Sequence, residues 1–298
     1  KDALAEWQPD AVIPVDYPGF NLRIARYASR RGLPVFYYIS PKVWAWKQRR
    51  IESLRKYTRR LFVIFPFEVA FFHKAGMETE YFGNPLLDEV GRFRKEFEGA
   101  NAWKKGKGWE GMDLVALLAG SRKKEIAAML PVMARVAREH PAYRFVVAGA
   151  PSISPEFYAP FLESGDLDIV YGETYALLES AQAGLVTSGT ATLEAGLFGL
   201  PQVVLYRTSA LAYSLAKRLI KINFISLVNL VLGRELVKEV IQKDMFDLAN
   251  RELGRILDDG DYRRAMQEGY REMRSLLGDE GVSPQVAQRM VNLLRAQA

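Results

Sequence analysis

Short runs of β-branched and aromatic residues alternate along the first third of the chain with segments of helical periodicity. Residues 11–15, 35–39 and 61–65 predict buried strands, and helices are expected near 20–31, 47–57 and 67–75. Strands separated by helices point to a parallel sheet, because parallel neighbours need a crossover long enough to hold a helix. Around 94–111 the pattern dissolves into RKEFEGANAWKKGKGWEG, a polar, Gly- and Lys-rich stretch that predicts a linker or a long surface loop.

A second alternation then begins. Strands are expected at 114–118, 144–148, 168–170, 184–187 and 202–206, with helices at 123–139, 154–163, 174–180 and 191–198 between them. That is the rhythm of a complete doubly wound α/β domain. From 244 to the end only helical periodicity remains.

Composition narrows the class. A chain of 298 residues, 49% hydrophobic and 26% charged, is globular and long enough for two cores. The longest apolar runs, 61–72 and 223–233, are too short to cross a bilayer and are interrupted by Pro66, Glu68 and Asn229. The absence of cysteine excludes disulfides, thiolate catalysis and Cys-based metal sites, and two histidines, His73 and His140, exclude a multi-His site. A net charge of +6 favours acidic partners. The charge is uneven: residues 42–60 hold eight Lys or Arg against Glu52 alone, and 207–243 hold seven against Glu235 and Glu239.

Within this frame, VTSGTATLEAGLFGLP (186–201) runs from a buried strand through Ser188-Gly189-Thr190 into a helix carrying Glu194 in its first turn. Small residues let backbone N–H groups approach a phosphate, the helix N-terminus adds partial positive charge, and Glu194 is placed to accept hydrogen bonds from a ribose. An ordinary capped helix shows the same hydroxyls. The equivalent turn of the first strand in this domain, Ala119-Gly120-Ser121-Arg122, offers an arginine able to bridge two phosphate oxygens at a strand's C-terminal end. A solvated helix start reads the same way.

Asp16, in VDYPGFN (15–21), ends the first strand and suits either a general base or an Asx turn. Trp44 and Trp46 cannot share a helix face, so they serve sugar or acyl contact, or core packing. Residues 206–239 combine the apolar Leu211, Leu215, Leu219 and Ile222 with Lys217, Arg218 and Lys221, a pattern of a membrane-surface helix or of a core helix with a basic edge. Asp166-Leu167-Asp168 imitates a metal-binding pair, but it opens a strand, away from the edge where such sheets bind ligands. No metal and no cofactor are expected.

Taken together and in order, DYPGFN (16–21), SPKVWAWKQRR (40–50), FPFE (65–68), GNPL (83–86), LAGSR (118–122), SGTATLE (188–194), YRT (206–208) and SLVNLVLGRELVKE (226–239) resemble the lipid-A-disaccharide synthases, inverting glycosyltransferases of the two-Rossmann-domain GT-B type. The resemblance runs from about Pro9 to the C-terminus. It implies a partial acceptor-side domain over 1–95, a UDP-sugar domain over 96–258, and C-terminal helices over 259–298 that pack either back on the first domain or on a partner chain. It also implies transfer from UDP-2,3-diacylglucosamine to 2,3-diacylglucosamine 1-phosphate, giving a β-1,6-linked disaccharide and UDP, on the cytoplasmic face of the inner membrane.

By the same resemblance Asp16 is the base. Arg122, Ser188, Gly189, Thr190, Glu194, Tyr206, Arg207, Asn229 and Glu235 hold the nucleotide sugar, while Asn21, Trp44, Trp46, Lys217 and Arg218 face the acceptor or the lipid. The partners implied are the two acylated sugars and an anionic membrane surface, with a homodimer allowed and no nucleic acid. Two positions depart from the family pattern: Ala119 replaces a common Pro, and Gly19 stands where a second Asp is common, which leaves Asp16 without a carboxylate neighbour. The Gly-rich loop that the family carries after its first strand would lie before Lys1, so the N-terminal domain is expected to be incomplete here. A UDP-sugar enzyme with a soluble substrate, an epimerase or a peptidoglycan-type transferase, and a non-catalytic fragment are the competing readings.

Overall fold

A computed structural model describes residues 2–44, 49–207, 223–242 and 244–296. They fall into two compact units, one built from Lys1–Glu89 with Leu276–Ala298, the other from the described residues between Val90 and Ser275.

The first unit begins with helices α1 (Asp2–Trp7) and α2 (Pro18–Ser29). It continues as β1 (Phe36–Tyr38), α3 (Arg50–Tyr57), β2 (Arg60–Val63), α4 (Pro66–Lys74) and β3 (Thr79–Tyr81), and α5 (Leu86–Glu96) leaves it. The three strands pair in parallel in the order β1-β2-β3. The strand expected at 11–15 is reduced to two parallel bridges, Val12 to Val35 and Val15 to Tyr38.

Because successive strand residues face opposite sides, the sheet has two separate cores. Tyr37, Leu61 and Val63 pack with Leu54 and Phe72 of α3 and α4 on one face. On the other, Phe36 and Phe62 pack with Val282, Val286 and Met290 of the last helix in the chain. That helix is pinned at its start by the Asp88 carboxylate, which accepts from the N–H groups of Gly281, Val282 and Ser283 at 2.6, 3.2 and 2.9 Å. Partial burial pushes the Asp88 carboxyl upward, but the N–H donors outweigh it and hold the group below the ordinary aspartate range. Beside it Gly83, at φ +121°, leaves room that a Cβ would take from Val282 Cγ2 at 2.8 Å.

The second unit opens with α6 (Ala100–Gly106) and alternates through β4 (Leu114–Leu118), α7 (Lys123–Glu139), β5 (Arg144–Gly149), α8 (Pro155–Leu162) and β6 (Leu167–Tyr171). It continues as α9 (Thr174–Ser180), β7 (Ala183–Thr187), α10 (Thr190–Leu197) and β8 (Gln202–Tyr206). After the undescribed residues come α11 (Leu227–Leu232), β9 (Glu239–Ile241), α12 (Met245–Asp258) and α13 (Gly260–Leu277). The last helix of the chain, in the first unit, is α14 (Val282–Arg295).

All six strands are parallel, in the order β6-β5-β4-β7-β8-β9. Every residue of β4 and β7 is buried, as their unbroken apolar runs require of strands covered on both faces. The polar stretch at 94–111 is not a free linker. It contains the end of α5 and all of α6, and it is anchored by Trp109, which is buried, and by Trp103, whose indole N–H donates to Glu173.

Candidate functional site

In a doubly wound sheet the chain leaves the first central strand in one direction and returns in the other, and ligands bind where the two turns part at the strands' C-terminal ends. Here that switch point lies between β4 and β7, which pair directly through Leu118 and Val186. The β4–α7 turn carries Gly120 to Arg122, and the β7–α10 turn carries Ser188 to Thr190. The two segments singled out as phosphate-binding are therefore brought side by side.

The turns differ in how their helix starts are satisfied. At α7 the Glu125 carboxylate reaches back to accept from the Ser121 N–H at 3.1 Å and from the Arg122 guanidinium at 2.7 Å. Gly120, at φ +110°, makes this possible, since a Cβ there would lie 2.7 Å from Glu125 Cβ. Arg122 itself is exposed. At α10 no side chain caps the first turn. The Ser188 hydroxyl instead donates to the Ile225 carbonyl at 3.0 Å, so the N–H groups of Thr190 and Ala191 that open α10 take no side-chain cap, and Thr190 is exposed.

Glu194 is the fifth residue of α10, which starts at Thr190, so it opens the second turn and not the first. Burial raises its pKa, against a hydrogen bond from the Tyr175 hydroxyl at 3.0 Å. Tyr206 ends β8 half-buried, and the exposed Arg207 follows it.

The segment 226–239 is stitched to the β7–α10 turn from below. Thr192 Oγ1 donates to the Gly189 carbonyl at 2.8 Å and accepts from the Leu227 N–H at 3.2 Å. Within the segment, Asn229 is wholly buried. Its amide oxygen accepts from the N–H groups of Leu236 and Val237 at 2.8 and 3.0 Å, and its amide nitrogen donates to the Val237 carbonyl and to Glu239, both at 2.9 Å. All four of its hydrogen-bonding positions are filled, so the side chain offers nothing to a ligand in this arrangement. Glu239, passed over in the sequence, also accepts from the Ile225 and Ser226 N–H groups and is the second half of this strut. Glu235 points to solvent and pairs with Lys238 at 2.9 Å.

In the first unit, Asp16 and Tyr17 both have left-handed backbones, at φ +44° and +37°. Each such residue costs about 1–2 kcal/mol outside glycine. Four hydrogen bonds hold the turn. The Asp16 N–H extends the sheet by donating to the Tyr38 carbonyl at 3.0 Å. The Asp16 carbonyl accepts from the Tyr37 hydroxyl at 2.6 Å and from the Asn21 amide at 2.8 Å, and the same amide reaches the Val15 carbonyl at 2.9 Å. The side chain of Asp16 is exposed. Tyr37 stays protonated well above the usual phenol range, chiefly through burial and then through the nearby Asp16 charge.

Trp44 is buried, packed edge-on against Phe67, and donates its indole N–H to Glu68 at 3.1 Å. Its place is in the packing of the first unit, where Glu68 also gathers the Ser40 hydroxyl and the Ile64 and Phe65 N–H groups. Burial pushes the Glu68 carboxyl up against these four donors. Trp46, Lys217 and Arg218 lie outside the described residues. Asp166 and Asp168 are engaged by Arg138 and Arg144 at 2.6 and 2.7 Å.

Solved structures define the class. The UDP-GlcNAc 2-epimerase from Neisseria meningitidis, bound to UDP-GlcNAc, superposes with a TM-score of 0.67 at 14% identity, covering 98% of this chain and 78% of that one. WaaG, a glycosyltransferase involved in lipopolysaccharide biosynthesis, superposes at 0.57 and 13% identity, covering 98% and 80%. The fold is thus the α/β architecture shared by GT-B glycosyltransferases and nucleotide-sugar epimerases.

Sequence narrows it further. The model of the lipid-A-disaccharide synthetase family matches residues 1–284. The lipid-A-disaccharide synthase of Geobacter sulfurreducens is 36% identical over 300 residues, spanning 97% of this chain and 76% of its own length. That of Myxococcus xanthus is 36% identical over 301 residues, spanning 98% and 78%. The chain belongs to the lipid-A-disaccharide synthase family, and with it to the glycosyltransferases of lipid A biosynthesis.

Proposed function

We infer that the chain transfers the sugar of UDP-2,3-diacylglucosamine to 2,3-diacylglucosamine 1-phosphate. The observation that carries this reading, beside family membership, is the pairing of β4 with β7, which sets an exposed arginine next to an uncapped helix start at the sheet's switch point. In the reaction the acceptor hydroxyl oxygen bonds to the anomeric carbon as the bond from that carbon to the UDP oxygen breaks. Asp16 takes the hydroxyl proton, and UDP leaves with the electron pair. Its growing charge falls on the N–H groups of α10 and on Arg122 and Arg207, donors already oriented before the reaction begins. Glu194 faces the ribose, its carboxylate steadied by Tyr175. Tyr206 and Glu235 border the same site, and Asn229 supports it from beneath.

Peripheral attachment to the anionic cytoplasmic face of the inner membrane belongs to the same reading, because both substrates are acylated. Residues 17–51 contain eight Lys or Arg and no acidic residue. On α2 and just beyond it, Phe20, Arg23, Ile24, Tyr27, Arg30 and Arg31 line one open groove, with Phe20 57% exposed, a mixture of cationic and apolar groups suited to a headgroup layer. No helix among the described residues is long and apolar enough to cross a membrane.

The test is UDP release by the full-length protein in detergent micelles. Release is expected only with both acylated sugars present, and Asp16→Asn should lose turnover by at least a hundredfold while still binding UDP. Release from UDP-N-acetylglucosamine without any lipid acceptor, or full turnover by Asp16→Asn, would refute the reaction or the role of Asp16 respectively.

A further inference from the structure

A general base must present its carboxylate at one place and angle, yet Asp16 sits on an exposed turn between two prolines, Pro14 and Pro18. What fixes it is unusual in one respect: the contacts are made to its backbone. The N–H is tied to Tyr38 in β1, and the carbonyl receives two donors, the Tyr37 hydroxyl from β1 and the Asn21 amide from α2. The same amide holds the preceding carbonyl, so one side chain clamps two successive peptide groups. Between these anchors the chain is kept left-handed at two consecutive non-glycine residues, a conformation it would leave if released. The carboxylate receives no hydrogen bond from the described residues, so both oxygens stay available to a substrate hydroxyl, and the strained backbone sets the place and the Cα–Cβ direction from which they reach it.

We propose that Tyr37 and Asn21 are positioning residues for the transfer, holding the Asp16 turn in its left-handed form so that the carboxylate meets the acceptor hydroxyl. This rests on the reading of Asp16 as the base. Neither residue touches the reacting atoms. Tyr37 is suited to the task because it is buried against β2 and remains protonated, and so remains a donor, across the working pH range. Asn21 is suited because it lies in the first turn of α2, whose Ala25 and Ala28 are fully buried and fix the helix against the sheet.

The experiment compares Tyr37→Phe, Asn21→Ala, Asp16→Asn and the double variant Asp16→Asn with Tyr37→Phe in the full-length protein, with kcat and KM for both sugars and thermal unfolding of each. Tyr37→Phe and Asn21→Ala should each lower kcat by about tenfold to a hundredfold, as expected for displacing a reacting group by up to an ångström, with KM within about twofold. On the Asp16→Asn background Tyr37→Phe should cost nothing more, because there is no base left to position. A merely structural role would instead lower both backgrounds by the same factor. That result, or an unchanged kcat in both folded single variants, overturns the proposal while leaving Asp16 as the base. Should Tyr37→Phe fail to fold, Asn21→Ala alone decides. Full turnover by Asp16→Asn overturns the base and the proposal with it, and it is read from that variant by itself.

Discussion

Asn229 is the sharpest place to separate support from contact. Replacing it with alanine removes four hydrogen bonds at once and strands the Val237 N–H and carbonyl, on a residue that is wholly buried. Each buried backbone group left without a partner costs about 1–3 kcal/mol, and a water drawn into the space recovers part of that. A net loss of about 3 kcal/mol follows, which for a unit of this size lowers the unfolding midpoint by roughly 6–12 °C.

Asn229→Asp sharpens the test. It keeps the acceptor for Leu236 and Val237 but sets a carboxylate against Glu239, where the amide now donates at 2.9 Å. Two like charges at that distance repel by up to roughly 6 kcal/mol at an effective dielectric constant of 20. The pair therefore binds a proton more tightly folded than unfolded, and a folded-state pKa raised above the unfolded value means stability that is present at low pH and lost as pH rises. Asn229→Asp should approach the wild type at pH 5 and fall well below it at pH 8, whereas Asn229→Ala should show the same deficit at both. Differential scanning calorimetry at the two pH values, with UDP titration alongside, reads all of this. An unfolding midpoint for Asn229→Ala within 2 °C of wild type, coupled to weakened UDP binding, would show that the side chain contacts the ligand and that the strut is wrong.

Two further predictions concern the first unit. Asp88→Asn should cost about 1–2 kcal/mol at pH 7, because the carboxylate caps α14 with three N–H bonds. With its folded pKa depressed, that contribution is present above the unfolded value near 3.8 and disappears as pH falls through the lower folded value, so the two proteins should converge in denaturant melts as the pH is taken progressively below 3.8. In vesicle flotation, Arg23→Gln with Arg30→Gln should reduce partition onto anionic vesicles by roughly 25-fold, about fivefold per arginine, with little change on zwitterionic ones. Equal binding to both vesicle types would remove the α2 groove as the contact surface.

The parts of this fold that were legible in the sequence are those whose burial is two-sided. β4 is an unbroken apolar run and β7 and β8 are nearly so, and the turns after β4 and β7 stand out because Gly120 and Gly189 follow such runs. The edge strands β1 and β6 were legible at 35–39 and 168–170, but β3 and β9 were not. Thr79-Glu80-Tyr81 and Glu239-Val240-Ile241 are three residues long and carry charge, and only their pairing with β2 and β8 makes them strands. The stretch at 94–111 read as a linker from its lysines and glycines, while Trp103 and Trp109, which dock it, contribute little to a composition count. In the site, the two turns proposed to hold phosphate follow from local pattern, but the partners of Asn229 and Asp16 come from Glu239, Val237 and Tyr37, and no spacing rule connects residues that meet only after the sheet has formed.

The pairing of β4 with β7 also sets an order in time. Gly120 and Gly189 are about seventy residues apart in the chain, and β5 and β6 must be made, and their helices packed on one side, before β7 can return to lie beside β4. Long-range parallel pairing of this kind forms late, since loop closure is opposed by entropy until the distant strand docks. On the proposed nucleotide site, a chain emerging from the ribosome would therefore hold no nucleotide until β7 has left the exit tunnel and docked, and capture of UDP during refolding would report the closing of the sheet itself.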